Sequence, residues 1–434
     1  MLIQSLNSRN SYKAVNDILN DVVLHDIQGL DVLRMIAIKR AMVIYDTGTG
    51  KTLLAAAAMK LLIREDPSRM FVMFVKKDQL VQTPKKLKDF AGLSSIVTTA
   101  DAKVSANYFL KQNLADYNVI MLTHDCLHKE SILEAIYKIK HLICGIIIDE
   151  AHEYNNFNNA QSANVLKAIV SRFEYVWGLT ATPIVSDLKQ LARLANLIDS
   201  TRYPDPSKLC RNLENGRFSI TYDKEFFINR SAVELGRASS PTGYVVSVPA
   251  QASQYAKNLG GVALFQNCKG YGAVNQVTAL IELIRERKYK NERGLVYISQ
   301  GSILSWVAQN LDKSDLTYAI INGDTPLSER SIIEKQFASN DYDVILTSIT
   351  TAVDLDCEYV VFYEFTVMVS QMIGRAHRGL NSKELKVYFI ITKDTNEIDY
   401  FMNNVFAKCQ IVRDILGKGN SAVEEAACKL GVHD

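Results

Sequence analysis

The sequence predicts two tandem α/β lobes, each a mostly parallel sheet flanked by helices. Three observations predict it. Short, near-continuous apolar runs alternate with helix-like stretches in both halves of the 434-residue chain. In the first half, one such run leads into a glycine-rich loop and another ends in paired carboxylates. Two arginines at helical spacing follow about 320 residues after the loop's lysine, in the second half. A site whose two ends are that far apart in sequence implies two bodies that close on one another.

In the first half the strand candidates are Ala41–Tyr45, Met70–Val75, Val119–Leu122, Ile143–Ile148 and Tyr175–Leu179. Each is a run of Val, Ile, Leu, Met and aromatics without polar alternation, the pattern of a parallel sheet buried on both faces. Lys51–Arg64 and Gln161–Arg172 have helical composition. The second half repeats the scheme with Gly294–Ile298, Tyr318–Ile321, Val344–Leu346, Tyr359–Tyr363 and Val387–Ile391 as strands. Ile303–Leu311 and Leu327–Ala338 are the helices between them. Strand–helix alternation in each half is what α/β lobes require. The expected organisation is an N-terminal lobe over 1–199, a connector containing the hinge over 200–272, and a C-terminal lobe over 273–434. The connector is marked by scattered Pro and Gly, and Lys408–Leu416 and Ala422–Leu430 read as closing helices.

Composition sets the class. Hydrophobic residues at 48% and charged residues at 22% fit a globular protein with real cores. A net charge of +2 leaves room for a local basic groove within a balanced total. The seven cysteines are scattered, without a Cys-x-x-Cys pair, which argues for reduced thiols rather than a disulfide or zinc framework. No apolar run approaches the roughly 18 residues of a membrane span, and Met1–Lys13 lacks a signal core. A cytoplasmic protein without a membrane partner is expected.

The loop Thr47-Gly48-Thr49-Gly50-Lys51-Thr52 follows a strand and opens a helix. Gly48 and Gly50 let backbone N–H groups approach phosphate oxygens, and the helix N-terminus adds its dipole. Lys51 would reach the outer phosphates and Thr52 would hold Mg²⁺. The strict form of this motif starts with a glycine at the position that Tyr45 occupies here. Asp149-Glu150 closes the apolar run Ile146-Ile147-Ile148. Carboxylates at a buried strand end are costly without a task. Asp149 suits the magnesium side and Glu150 suits the base that orients an attacking water. Arg375 and Arg378, three apart, share one helix face, and an arginine finger is worth roughly 10³–10⁵ in rate. Thr180 and Thr182 end the strand after Asp149 and offer hydroxyls that could link the carboxylates to the other lobe.

The ordered set Gly-x-Gly-Lys-Thr, Asp149-Glu150-Ala151-His152, Thr180-Ala181-Thr182 and Gln371-Met372-Ile373-Gly374-Arg375-Ala376-His377-Arg378 resembles the superfamily 2 helicases and translocases. The resemblance covers roughly residues 24 to 410 and is nearest to Swi/Snf-like double-stranded DNA translocases. It implies that the two tandem lobes are RecA-like with the ATP cleft between them, and that ATP and Mg²⁺ are the cofactors. Leu24-His25-Asp26-Ile27-Gln28 is similar to the family's nucleotide-sensing motif, in which Gln28 would read adenine. Gln371 would join the nucleotide contacts, and His152, Thr180 and Thr182 would be coupling residues. Gly323, Arg330 and Phe337 match a second-lobe stretch, and Ser299-Gln300 the strand end before it. In the fifth motif Asp354 keeps the acid toward ribose or magnesium, while Ala352 stands where the family carries glycine.

The resemblance further implies that nucleic acid, DNA rather than RNA, runs across both lobes. Its contacts would be Lys77 and Gln79, Thr123 and His124, and Thr347 and Ser348, at strand ends. Such contacts position a duplex without reading sequence. The expected activity is ATP hydrolysis coupled to DNA translocation or unwinding by a monomer. The alternative is the ATPase subunit of a larger restriction, defence or RNA-unwinding assembly, which adds a protein partner.

Overall fold

In a computed structural model of the protein, residues 11–431 are described apart from 99–101, 127–128, 157–166, 168–169, 185–186, 237–239, 255–258, 260, 349–354, 367 and 377–383. The chain divides between Ser231 and Ala232 into two compact units. Each holds one sheet in which every strand pairing is parallel. Among the described residues no helix is long and apolar enough to cross a membrane, and all seven cysteines are free thiols.

The first unit contains β1 (Arg40–Tyr45), β2 (Met70–Val75), β3 (Ser95–Val97), β4 (Val119–Thr123), β5 (Ile143–Ile148), β6 (Tyr175–Thr180) and β7 (Phe227–Arg230). Their order in the sheet is β3-β4-β2-β5-β6-β1-β7. All six residues of β2, Met-Phe-Val-Met-Phe-Val, are buried, as a central strand covered on both faces must be. Parallel neighbours need long crossovers, and helices such as Lys51–Glu65 and Leu188–Ile198 supply them. Trp177 on β6 is fully buried and donates its indole N–H to the Met35 carbonyl at 3.2 Å, fastening the helix Asp26–Ile38 to the sheet. Because the strands are parallel, β1, β5 and β6 deliver their C-terminal ends to one edge. Ligands bind at that edge in open α/β sheets.

The second unit contains β8 (Thr242–Val248), β9 (Gly294–Tyr297), β10 (Tyr318–Ile321), β11 (Val344–Thr347), β12 (Tyr359–Phe362) and β13 (Lys386–Thr392), in the order β10-β11-β9-β12-β13-β8. Tyr297, Phe362 and Phe389 stack across three neighbouring strands, with centroids 5.3 and 5.2 Å apart. Such cross-strand aromatic pairs add to burial in holding register. The closing helices are Ala407–Leu416 and Ser421–Lys429. The latter lies so close to β8 that a Cβ on Gly243 would sit 1.9 Å from the Ala422 carbonyl oxygen.

The ten strands read from sequence are all present to within a residue or two, and the described residues hold three more. β3 has only three residues, too few to register as a run. β7 and β8 lie in the stretch expected as a connector. There β7 extends the first sheet beside β1, and β8 borders the second beside β13. Both are edge strands, half of them open to solvent, so they carry a weaker apolar signal than central strands. The dense Gly and Pro around them mark turns. The helix expected over Gln161–Arg172 falls mostly outside the described residues.

Candidate nucleotide site and its couplings

Gly48 and Gly50 both have positive φ, 72° and 94°, a backbone that β-carbons resist. Gly50 precedes the helix Lys51–Glu65, whose first turn has no side-chain cap among the described residues. Its leading N–H groups and dipole therefore face the loop, a cradle for an anion. Lys51 is buried, and its Nζ donates to the carbonyls of Tyr45 at 3.1 Å and Asp46 at 3.4 Å. The loop is further braced by the Thr49 hydroxyl, which donates to the Asp46 carbonyl at 2.5 Å.

Gln28 sits beneath this loop, fully buried. Its Nε2 donates to the Thr49 carbonyl at 2.7 Å, while its Oε1 accepts the His25 N–H at 3.0 Å. The second contact completes a capping box at the start of Asp26–Ile38. One turn further on, Asp31 is wholly buried. It accepts from the Tyr45 hydroxyl at 2.7 Å, Arg34 at 2.7 Å and Arg230 at 2.7 and 3.1 Å. Burial and the Asp31 carboxylate hold the Tyr45 phenol far above its ordinary pKa. Tyr45, the residue that breaks the strict loop pattern, thus ties the strand before the loop to the Gln28 helix and to β7.

Asp149 leaves β5 with its N–H on the Phe74 carbonyl at 2.9 Å, and its own Oδ1 accepts the Glu150 N–H at 3.0 Å. Burial first, then the Glu150 charge, raise the Asp149 carboxyl above its usual range, and Lys51 opposes the rise. A buried carboxylate within the field of the loop lysine fits a cation bound beside phosphate. Glu150 has φ 47°, left-handed backbone that a non-glycine residue adopts at a cost of about 1–3 kcal/mol. Such strain gathers at functional sites, and here it aims a carboxylate off the strand end.

β6 lies between β5 and β1, so Thr180 comes between the carboxylates and the loop. Its Oγ1 is 2.9 Å from His152 Nδ1 and accepts the Thr182 N–H at 3.1 Å. The structure therefore brings Asp149, Glu150, His152, Thr180 and Thr182 together at the edge where Gln28 and residues 47–52 also stand.

Gln371 and Arg375 lie on the helix Val369–Ala376 in the second unit. Their side chains, and Arg378 and Asp354 entirely, fall outside the described residues. Arg330 holds the turn after β10 by donating to the carbonyls of Thr325 at 2.8 Å and Asn322 at 2.9 Å, and Phe337 is core. The Ser299-Gln300 strand end is held by buried Glu364, which accepts both backbone N–H groups at 2.7 and 3.0 Å. Of the nucleic-acid candidates, Lys77 is exposed and Gln79 and Ser348 are half-buried. Thr123, His124 and Thr347 are buried, with Thr123 3.4 Å from Cys126 Sγ.

Asp31, Arg230, Glu153 and Glu364 were not singled out in the sequence. Asp31 left one signal, an acid between Leu30 and the apolar pair Val32-Leu33. The others become meaningful through partners 64 or more residues away in sequence.

Residues 12–185 match the family described as type III restriction enzyme, res subunit, and residues 275–379 match the helicase conserved C-terminal domain. The chromatin-remodeling ATPase INO80 of Neurospora crassa is 26% identical over 155 residues, covering 34% of this chain. The match spans only 8% of that relative. The Pyrococcus furiosus Hef helicase domain superposes with a TM-score of 0.58 at 13% identity, over 87% of this chain and 97% of that one. The Sulfolobus solfataricus SWI2/SNF2 ATPase core in complex with dsDNA gives 0.44 at 16% identity, over 95% and 97%.

Proposed function

Because this chain is a superfamily 2 helicase/translocase, with the two family regions in their expected order, we propose that it is an ATP-dependent DNA motor, a monomeric translocase of the Swi/Snf-like kind working in the cytoplasm. The observation that carries the reading is the edge of the first sheet. A glycine cradle, a buried lysine, a strained glutamate and a histidine–threonine link meet there.

In this reading Gly48, Gly50 and Lys51 bind the outer phosphates of ATP, and Gln28 sets the loop that holds them. Thr52 and Asp149 hold Mg²⁺, which neutralises phosphate charge when bound. Glu150 orients the attacking water and takes its proton. Arg375 and Arg378 supply positive charge to the transition state, with Gln371 and Asp354 as further nucleotide contacts. His152, Thr180 and Thr182 pass the state of the nucleotide onward. Lys77, Gln79 and Ser348 hold backbone phosphates. The buried Thr123, His124 and Thr347 shape the strand ends that present those groups.

The test is ATP turnover measured with duplex DNA, single-stranded DNA and RNA, beside triplex displacement and fork unwinding. Stimulation by duplex together with triplex displacement is expected. Stimulation by RNA alone would overturn the choice of DNA. The restriction match at residues 12–185 favours one alternative, the motor subunit of a larger restriction assembly. Weak turnover restored by a partner protein would mark that case.

A further inference from the structure

β8 is the outermost strand of the second sheet, and its seven residues make it the longest edge strand of either sheet among the described residues. The other edges are blunted by their length, with three residues in β3 and four each in β7 and β10. A long edge with open N–H and C=O groups is a template for another strand. Charged side chains usually spoil such a template, yet Thr-Gly-Tyr-Val-Val-Ser-Val carries none.

The backbone groups of β8 alternate in direction. Thr242 donates its N–H to the Leu385 carbonyl at 3.0 Å, and the Val248 carbonyl accepts the Lys393 N–H at 2.8 Å, so both turn toward β13. Gly243, Val245 and Ser247 therefore turn outward. The helix Ser421–Lys429 takes the first of these. Glu425 accepts the Gly243 N–H at 2.9 Å, and Lys429 donates to the Gly243 carbonyl with its ammonium 4.4 Å over the Tyr244 ring. Ser421 donates to the Pro241 carbonyl at 2.7 Å and fixes the start of the helix there. Val245 is half-buried and Ser247 exposed. Their outward backbone groups have no hydrogen-bond partner among the described residues.

We propose that the helix Ser421–Lys429 is a guard on β8, and that the edge it covers pairs with the same edge of a second copy of this chain when the helix lifts. The outward groups are complementary to themselves about a two-fold axis at Val245. In an antiparallel pair Val245 faces Val245 and Gly243 faces Ser247, and each facing pair exchanges both its hydrogen bonds. Such a contact uses one patch on both copies and closes at the dimer. With the helix down, Glu425 and Lys429 occupy both groups of Gly243. The outer pairs then cannot form, and the Val245 pair stands alone. The helix stays down in the single chain because Ala422, Val423, Ala426 and Ala427 are buried on its inner side.

Sedimentation velocity of the full chain tests this with two variants that lift the helix from opposite sides. Gly243→Val sets a side chain against the Ala422 carbonyl and suits the strand. Ala426→Asp sets a carboxylate into the buried side of the helix. Each is expected to double the sedimenting mass relative to wild type while far-UV circular dichroism is kept. Val245→Pro removes an outward N–H where an edge strand tolerates proline. Added to either variant, it is expected to return the mass to that of wild type. Ala426→Asp leaves the sheet untouched and decides the matter if Gly243→Val does not fold. Wild-type mass in the folded variants overturns the proposal. So does a larger or mixed mass, or a doubled mass that Val245→Pro leaves in place. A wild type whose own mass falls with Val245→Pro overturns it too, because the edge would then be open with the helix down.

Discussion

Tyr45 donates its buried hydroxyl to Oδ2 of Asp31 at 2.7 Å, joining the strand before the phosphate loop to the helix that carries Gln28. Arg230 reaches the same carboxylate from β7, and Tyr45 and Arg230 are partners in the β1–β7 register. Removing one member of a buried charged pair typically costs about 3–5 kcal/mol, because the remaining charge loses its compensation. Asp31→Ala is expected to lower the unfolding free energy of the first unit by about 3 kcal/mol, the low end, since Arg34 and Arg230 are partly exposed. Tyr45→Phe should cost about 1 kcal/mol. Urea unfolding followed by Trp177 fluorescence measures both, and an unmoved midpoint for Asp31→Ala would refute the role given to the cluster.

Gln28 holds two backbones with two different atoms, so its substitutions separate. Gln28→Glu keeps an oxygen for the His25 N–H but loses the N–H donated to the Thr49 carbonyl. We expect this variant's KM for ATP to rise about tenfold, the worth of roughly one hydrogen bond of 1.4 kcal/mol, and its buried carboxylate to cost stability besides. Gln28→Ala should lose the helix cap as well and melt lower. Equal KM values for wild type and Gln28→Glu would show that the amide does not set the loop.

Glu150→Gln preserves the side chain's shape and removes its basicity. ATP turnover should fall by roughly 10²–10⁴, the usual contribution of a positioned base, while nucleotide binding by fluorescence titration stays intact. Hydrolysis at the wild-type rate would reassign the base.

His124 gives a pH signature. Burial lowers its pKa from 6.5 to about 4, outweighing a hydrogen bond to the Asp149 backbone that favours the charged ring. The unfolded chain gains this proton below pH 6.5, the folded chain only near 4. The stability it contributes is complete above 6.5 and is lost as pH falls toward 4, by about 3 kcal/mol in all. The unfolding free energy of wild type minus that of His124→Gln should therefore shrink across this window. A constant difference would contradict a buried neutral imidazole.

The central strands and the loop were legible because their signals are local. Met70–Val75 is buried on both faces and reads so by itself, and Gly48 and Gly50 announce their own conformation. What the sequence hid is non-local. β7 is recognisable only beside β1, and Tyr45 looked like a defect in the loop pattern until Asp31, fourteen residues earlier, supplied its partner. His152 and Thr180 were expected as coupling residues but not as each other's partners, and Lys76–Glu153 joins residues whose neighbourhood the chain order conceals.

The left-handed backbone at Glu150 has a consequence for anyone selecting hardier versions of this protein. Glycine or asparagine would relax that conformation, so a screen that rewards heat resistance alone would favour them there. The survivors are expected to melt later and to turn over ATP far more slowly, as Glu150→Gln does. Position 150 is where durability and work draw on the same backbone, and a selection on this protein must score both at once.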